Sequence, residues 1–250
     1  MENYIITISR RFASKGHEIA GLMSESLGIP VYDRSAVEAR VQSLQMEAAS
    51  FEREPDTGRG RTSGRTGFTS RESNPVGSRQ DEIRYKHASS EEEKAQESAK
   101  ERSRTDTGTR SLLMGLFRRE IREEIRDEAQ LEFERQSEVI RSLVREGPCI
   151  ILGRCADQIF EDYPRALHIF IYADDQDRIR NTMQMLHTGE EEARSLVQNE
   201  DRARENYRRR FSSHPEDEVF GRHILIDSGK LGARKSAEIL VQAAKYLFWE

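Results

Sequence analysis

The sequence predicts an α/β protein, in which a parallel sheet is covered by helices on both faces and one segment of low complexity interrupts the chain. Short apolar runs rich in β-forming residues alternate with longer stretches of helical periodicity, as in proteins with parallel sheets. Apolar residues are also unevenly distributed. The chain is 35% apolar and 34% charged, but residues 52–110 contain only seven apolar residues among 59. The rest of the chain therefore approaches normal composition and can bury a core.

The first strand is predicted at residues 4–8, because this run is almost entirely apolar, as in a strand covered on both faces. A turn is predicted at residues 9–16. A helix follows and ends at Gly28, where a residue without a side chain suits the left-handed end of a helix. Its apolar face is formed by Ile19, Leu22, Met23 and Leu27.

A short strand is predicted at residues 29–32, followed by Asp33 and Arg34. Ser35 and Glu38 have the spacing of a capping box, which predicts that the next helix begins there. The apolar residues of that helix are Val37, Val41 and Leu44.

Residues 52–110 are predicted to be a disordered or partly helical insertion, since they cannot bury enough apolar surface to offset chain entropy. They contain 13 basic and 12 acidic residues, a nearly neutral balance. The basic run at 58–65 could contact RNA or phosphate. Residues 1–51 and 111–250 are expected to form one domain around this insertion.

The second half of the chain returns to alternating strands and helices. Strands are predicted at 149–152, 167–172 and 224–226, and helices at 112–145, 175–186, 190–211 and 232–248. Gly147 and Pro148 end the first of these helices. Thr188 and Glu191 have the spacing of a capping box at the start of the helix at 190–211. Cys149 and Cys155 flank a predicted buried strand and are expected to be small buried residues.

Composition argues against several classes of protein. A formal charge of −5 gives the whole chain no attraction to nucleic acid or anionic lipid, so a nucleic-acid partner is not expected. No apolar run approaches the roughly 18–20 residues of a membrane span. The first residues do not have the pattern of a signal peptide, so we expect a cytoplasmic protein without a membrane partner. No group of His, Cys and Asp residues has the spacing of a zinc site.

Charged and small residues follow the predicted strands. In open parallel sheets, ligands bind beyond the carboxyl ends of the strands. Three clusters at such positions are basic: residues 14–17, residues 33–34, and Gly153-Arg154 with Asp157 close behind. The first cluster also opens a helix, whose free N–H groups attract anions. These residues predict a phosphate-binding site.

Five segments, in order, resemble the cytidylate kinase-like proteins, a branch of the P-loop nucleoside monophosphate kinases. They are ISRRFASKGHEI at 8–19, GIPVYDR at 28–34, QSEVIR at 136–141, GPCIILGRCAD at 147–157 and IDSGKLG at 226–232. DRARENYRRRF at 201–211 is similar to the arginine-bearing lid helix of that family. The resemblance covers about 1–50 and 111–250.

The resemblance implies a three-layer P-loop NTPase-type fold with about five strands. It also implies transfer of a phosphoryl group from ATP, with Mg²⁺, to CMP or a similar nucleoside monophosphate. Residues 11–18 would form the phosphate loop, with Ser14, Gly16, His17 and Glu18 binding the triphosphate and its metal. Asp33, Arg34, Arg154 and Asp157 would bind the acceptor. Lys15, Arg154, Arg204 and Arg208 would act on the transferring group.

The phosphate loop departs from the usual G-x-x-x-x-G-K-[ST] pattern. Arg11 stands at the first glycine, His17 at the lysine, and Glu18 at the residue that binds Mg²⁺, for which we expect Glu18 to substitute. Lys15 could supply the missing ammonium from a shifted position. Two alternatives to a kinase therefore remain open. One is a nucleotide-binding regulator of the same fold with little or no activity, and the other is an interaction protein that uses the insertion.

Overall fold

The protein contains a five-stranded, all-parallel sheet in a computed structural model that describes residues 3–51, 109–214 and 219–249. The strands in chain order are β1 (Ile5–Arg10), β2 (Val31–Tyr32), β3 (Cys149–Leu152), β4 (Ala166–Tyr172) and β5 (Ile224–Asp227). Their spatial order is β2-β3-β1-β4-β5, so the chain reverses its direction of winding beside β1. The predicted fold class is confirmed, and a ligand site is expected at the carboxyl ends of the central strands.

Helices cover both faces of this sheet. They are α1 (Gly16–Leu27), α2 (Arg34–Phe51), α3 (Thr109–Glu146), α4 (Ala156–Ile159), α5 (Asp175–Leu186), α6 (Glu190–Phe211) and α7 (Ser228–Trp249). The predicted bounds of α5 and α6 agree with the structure. Gly232 has a non-helical backbone and kinks α7 after its first residues. Most of the predicted insertion at 52–110 lies outside the described residues.

Alternate residues of β1 enter two cores, because successive side chains of a strand point to opposite faces. Ile6 and Ile8 pack with Ile19 of α1 and Leu240 of α7 in one core. Ile5 faces the other core, which lies beneath α2 and α3.

Both predicted cysteines are free and buried. No helix of the described ranges is long and apolar enough to cross a membrane.

A third, smaller core joins α5 and α6 to the loop after β1. Phe12 is its centre, only 2% exposed, and it packs against Ile179, Ala193 and Val197. The loop that follows β1 is thus attached to the α5–α6 pair by apolar packing. Loop and helices are expected to keep a defined relative position.

Two predicted capping boxes are wrong. Ser35 lies inside α2, and the residue that caps this helix is Asp33, whose Oδ1 accepts a hydrogen bond from the Ala36 amide at 3.0 Å. At α6 the N-cap is Gly189, which has no side chain to accept a hydrogen bond. In both cases the spacing matched, but another residue, Asp33 or Gly189, lies at the cap position.

Two other expectations also need correction. Ser9 and Arg10, predicted in a turn, belong to β1, because they pair with Phe170 and Ile171 of the longer strand β4. Leu44, predicted on the apolar face of α2, is 39% exposed. The first correction matters for function, since it shows that the backbone of Arg10 belongs to the sheet.

Candidate active site

Two adjoining cavities lie at the carboxyl ends of β1 and β3. The first, the loop cavity, encloses about 400 Å³ between residues 13–18 and α5. The second, the arginine cavity, encloses about 290 Å³ between the turn after β3, α6 and Phe170. The two cavities share the side chains of Arg10, Arg11 and Arg204. A ligand in one cavity would therefore lie next to a ligand in the other.

The wall of the loop cavity is largely backbone. Ala13 and Lys15 both have left-handed conformations, with φ of 56° and 59°, which turn the chain into the start of α1. Successive amides in turns of this kind form concave anion sites, and the N-terminus of α1 adds its dipole. The side chain of Ser14 is turned inward, where its Oγ donates to the carbonyl of Arg11 at 2.9 Å. The hydroxyl of Ser14 is thus occupied by the loop itself, which leaves its backbone to face an anion.

Side chains with opposite charges lie at the mouth of this cavity. Lys15 and Glu18 are both exposed, and neither has an ion-pair partner among the described residues. In the parts of the chain that the structure describes, no group of three or more His, Cys, Asp or Glu residues could hold a metal ion by itself. Glu18 can therefore supply a single carboxylate, and any metal here would need further oxygen ligands from a bound phosphate.

His17 faces Asp33 instead of taking the place of a lysine over the loop. Its Nε2 lies 3.7 Å from Oδ2 of Asp33. Burial of Asp33 opposes its ionisation, but the nearby imidazole of His17, with hydrogen bonds from the Ala36 amide and the Ser35 hydroxyl, holds the pKa of this carboxyl well below its usual range. This contact joins the start of α1 to the start of α2. Asp33 lines neither cavity and is engaged in structural hydrogen bonds.

Glu38 links two of the predicted acceptor residues. Its Oε1 accepts from Nε of Arg34 at 2.5 Å and lies 3.9 Å from Nη1 of Arg154. Arg34 also lines neither cavity, whereas Arg154 lies in the wall of the arginine cavity. The structure thus brings Arg154 to the cavities and leaves Asp33 and Arg34 at their periphery.

The turn that carries Arg154 has an unusual backbone. Gly153, Arg154 and Cys155 have φ of 83°, 59° and 50°, three consecutive left-handed residues. Strain of this kind is concentrated at functional sites. The Arg154 side chain is 9% exposed, its Nη1 donates to Gln136 at 3.1 Å, and its guanidinium lies 4.6 Å from the centre of the Tyr207 ring. Arg154 is therefore held by contacts from both α3 and α6.

Asp157 is the acidic centre of the arginine cavity. Its Oδ2 accepts from Arg208 at 2.7 Å and lies 3.8 Å from Nη2 of Arg222. Its Oδ1 is buried and has no hydrogen-bond partner among the described residues. A buried carboxylate oxygen without a partner is costly and suits a hydrogen-bond donor on a ligand. Two predicted site residues, Asp157 and Arg208, are thus paired with each other.

Asp201 joins the loop to α5 and α6. Its Oδ1 accepts a hydrogen bond from the Phe12 amide at 2.8 Å, and its Oδ2 pairs with the buried Arg178. Burial alone would lower the pKa of Arg178, but Asp201 and Asp175 raise it above its usual range, so this arginine is a permanent cation. The predicted catalytic residue Arg204 lies 3.9 Å from Oδ1 of Asp201.

Arg10, Asp201 and Arg222 line the arginine cavity but were missed as site residues in the sequence, whereas Arg11 was expected within the phosphate loop at 11–18. Arg10 stands where β1 was predicted to have ended, and Asp201 has the same pattern as other charged helix positions. Arg222 precedes β5, at the opposite end of a strand from the predicted sites, yet its guanidinium lies 4.1 Å from the centre of the Phe170 ring. Because β1 was predicted to end at residue 8, Arg10 was not recognised as a residue at the carboxyl end of a strand. For Arg222, no feature of the sequence indicates a place in the site.

Comparison with known proteins shows a family and a fold. The sequence profile of the cytidylate kinase-like family matches residues 5–89 and 80–230. The chain is also similar to the crystal structure of an uncharacterized protein from Eubacterium ventriosum ATCC 27560. The TM-score is 0.59 and the identity 16%, and the match covers 97% of this chain and 98% of that one. No curated protein matches the chain significantly.

Proposed function

The chain belongs to the cytidylate kinase-like family, and from this premise we propose that it transfers the terminal phosphoryl group of ATP to CMP or a similar nucleoside monophosphate. The loop cavity would take the triphosphate and the arginine cavity the monophosphate. The observation that carries the proposal is the shared boundary of the two cavities, where Arg10, Arg11 and Arg204 line both.

The charges support this assignment. Six arginines line the arginine cavity, against the carboxylates of Asp157, Asp201 and Glu205. The arginines are Arg10, Arg11, Arg154, Arg204, Arg208 and Arg222. The loop cavity has the cations of Lys15 and the three shared arginines, against Glu18. Both cavities are therefore net positive and suit anions that carry several charges.

The reaction needs little covalent help from the protein. The bond between the terminal phosphorus and the donor's bridging oxygen breaks, and a bond forms to an oxygen of the acceptor phosphate. The acceptor oxygen is already an anion, so no side chain has to remove a proton. Catalysis then depends on alignment of the two phosphates and on positive charge where the phosphoryl group passes. Arginines at the shared boundary meet that requirement.

The loop cavity fits a triphosphate with Mg²⁺ in its donor chemistry. Its backbone amides at 13–16 would bind phosphate oxygens, and Lys15 would add a cation. The exposed carboxylate of Glu18 would hold Mg²⁺ together with phosphate oxygens and water, which is how this ion is usually bound. When bound, the ion neutralises phosphate charge.

The arginine cavity would hold the acceptor. Arg154, fixed by Gln136 and Tyr207, would bind its phosphate, and Oδ1 of Asp157 would accept a hydrogen bond from its sugar or base. Asp33 and Arg34 would act from outside the cavities, by joining α1 to α2 and by sharing Glu38 with Arg154. Arg204 and Arg208 would approach from α6, and Arg208 would have to leave Asp157 to reach the phosphoryl group.

One observation favours a second candidate, a nucleotide-binding regulator with little activity. Position 17 holds a histidine that faces Asp33, so the usual lysine over the phosphates is absent. Such a protein would bind nucleotides in both cavities and transfer nothing.

The test is a coupled assay of the purified protein with ATP, Mg²⁺ and each of the four common ribonucleoside monophosphates, together with calorimetric binding of each nucleotide. Transfer to CMP, or to another monophosphate, supports the kinase. Binding without transfer supports the regulator. If neither cavity binds a nucleotide, both assignments are wrong.

A further inference from the structure

We propose that Arg10 is a catalytic residue of this phosphoryl transfer and supplies, between the two cavities, the cation that the loop lacks at position 17. The inference rests on the proposed function and deepens it. It depends on the path of one side chain across the site, and on the element from which that side chain starts.

The Arg10 side chain runs from the start of α1 to the turn after β3. A Cβ atom built on Gly16 would lie 3.0 Å from Cγ and 3.3 Å from Cδ of Arg10. A Cβ atom built on Gly153 would lie 2.6 Å from its Nη1. The aliphatic part thus passes over the beginning of the phosphate loop's helix, and the guanidinium reaches the strained turn that carries Arg154. Glycine at positions 16 and 153 leaves the space for this path.

The backbone of Arg10 is part of the sheet. Arg10 is the last residue of β1 and pairs with Ile171 of β4. Arg11 and Arg204 also line both cavities, but each lies within 4 Å of Asp201 on α6, at 3.7 and 3.9 Å. Arg11 and Arg204 thus reach the boundary beside a carboxylate of α6, and Arg10 reaches it from the end of a central strand. A cation placed at this boundary before the reaction stabilises charge where it develops in the transition state.

The chemistry suits a guanidinium at this point. During transfer, negative charge is spread over the oxygens of the moving phosphoryl group and its two neighbours. Arg10 can donate two N–H groups in one plane to oxygens on both sides of the boundary, which an ammonium cannot do. The guanidinium keeps all its protons, so Arg10 stabilises charge without a proton transfer.

The test compares Arg10→Gln and Arg10→Lys with Arg202→Gln, a matched control that removes an exposed arginine of α6 outside both cavities. Each variant is assayed for kcat and KM. Calorimetry then measures Kd for ATP, for CMP, and for adenosine and cytidine joined by five phosphates, a ligand that occupies both cavities and crosses their boundary.

We expect Arg10→Gln to lower kcat at least 100-fold, with both KM values within about fivefold of the parent, since one transition-state arginine contributes a factor of roughly 10³ or more. The five-phosphate ligand should lose at least 30-fold in affinity, and ATP or CMP alone at most fivefold. Arg10→Lys should recover only part of kcat, because its ammonium is a single point donor. A purely structural role would weaken all three ligands equally and would overturn the proposal.

Arg10→Lys provides a second measurement if Arg10→Gln does not fold, because lysine keeps the charge and an aliphatic chain that can pass over Gly16. It should lower kcat at least tenfold, with Kd for ATP and for CMP within about fivefold of the parent. An unchanged kcat would contradict the proposal. The two proposals fail differently. If the parent neither transfers phosphate nor binds the five-phosphate ligand, the kinase proposal and the role of Arg10 are both wrong. If the parent is active and Arg10→Gln has the same kcat as Arg202→Gln, only the role of Arg10 is wrong.

Discussion

The loop cavity and the arginine cavity are both net positive, but different parts of the chain line them. The wall of the loop cavity is largely backbone in a left-handed turn, to which the exposed Lys15 and Glu18 and the three shared arginines add their charges. The arginine cavity relies on buried side chains that hold one another, with Asp157 between Arg208 and Arg222.

The difference predicts how each cavity responds to substitution. A backbone site tolerates a change of side chain, because its donors remain. A buried network does not, because the removal of one partner leaves another charge uncompensated. In this chain position 17 of the loop after β1 is a histidine that faces Asp33, while the arginine cavity contains a closely paired set of charges. The predictions below test this contrast, from the largest expected effect to the smallest.

The sharpest test is Asp157→Ala. It should lower the free energy of unfolding by about 3 kcal/mol, since Arg208 and the buried Arg222 both lose their carboxylate. Urea denaturation measures the change. Asp162→Ala, which removes an exposed aspartate nearby, should stay within about 0.5 kcal/mol of the parent. If the two variants have the same free energy of unfolding, the ion pairs of Asp157 stabilise the fold no more than an exposed aspartate does.

Arg154→Lys should weaken binding of the monophosphate by about 1–3 kcal/mol, the range of a charge-assisted hydrogen bond, because lysine cannot reproduce the planar fork. The control is Arg141→Lys, at an exposed position of α3. Calorimetry with CMP measures both. An unchanged affinity in Arg154→Lys would remove this residue from the acceptor site.

Lys15→Ala should lower turnover at least tenfold, about 1.4 kcal/mol of transition-state stabilisation, while triphosphate affinity falls less because the amides remain. Lys235→Ala removes an exposed lysine of α7 and should leave turnover unchanged. A large loss of triphosphate affinity without loss of turnover would contradict the contrast, since Lys15 would then act in binding.

Mg²⁺ should raise the affinity of the parent for triphosphate, and Glu18→Gln should abolish this gain, because an amide oxygen is a weaker ligand for this ion. Calorimetry with and without Mg²⁺ measures the gain. Glu25→Gln, on an exposed position of the same helix, should keep it. If Glu18→Gln binds triphosphate more tightly than the parent without Mg²⁺ and keeps the full gain in affinity with Mg²⁺, Glu18 is not a metal ligand and only repels phosphate.

Ala13→Gly should have the smallest effect, a gain in stability of about 0.5 kcal/mol. The left-handed conformation of Ala13 costs roughly 1–2 kcal/mol, and the greater chain entropy of unfolded glycine offsets part of the relief. Ala203→Gly, within α6, should lose about 1 kcal/mol instead. A loss of stability in Ala13→Gly would show that the loop conformation carries no strain.

The sequence by itself was sufficient for the fold class and for most of the strands and helices. The apolar runs at 149–152 and 167–172 predict β3 and β4 closely, and the helical periodicity at 175–186 and 190–211 predicts α5 and α6, because burial on a fixed face leaves a periodic pattern. Gly28 ends α1 as expected, with φ of 66°. The two cavities lie at the carboxyl ends of β1 and β3, the edge of the sheet at which the sequence analysis predicts a ligand site.

Tertiary structure decided which charges meet. Asp157 and Arg208 are 51 residues apart, and Arg222 reaches the same carboxylate from the opposite end of a strand. Asp33 caps a helix and holds His17, so its carboxylate turns away from the cavities. Arg10 extends across Gly16 and Gly153, which are 137 positions apart in the chain. A side chain's partners depend on contacts between distant segments, and those contacts leave no periodic signal in a single sequence.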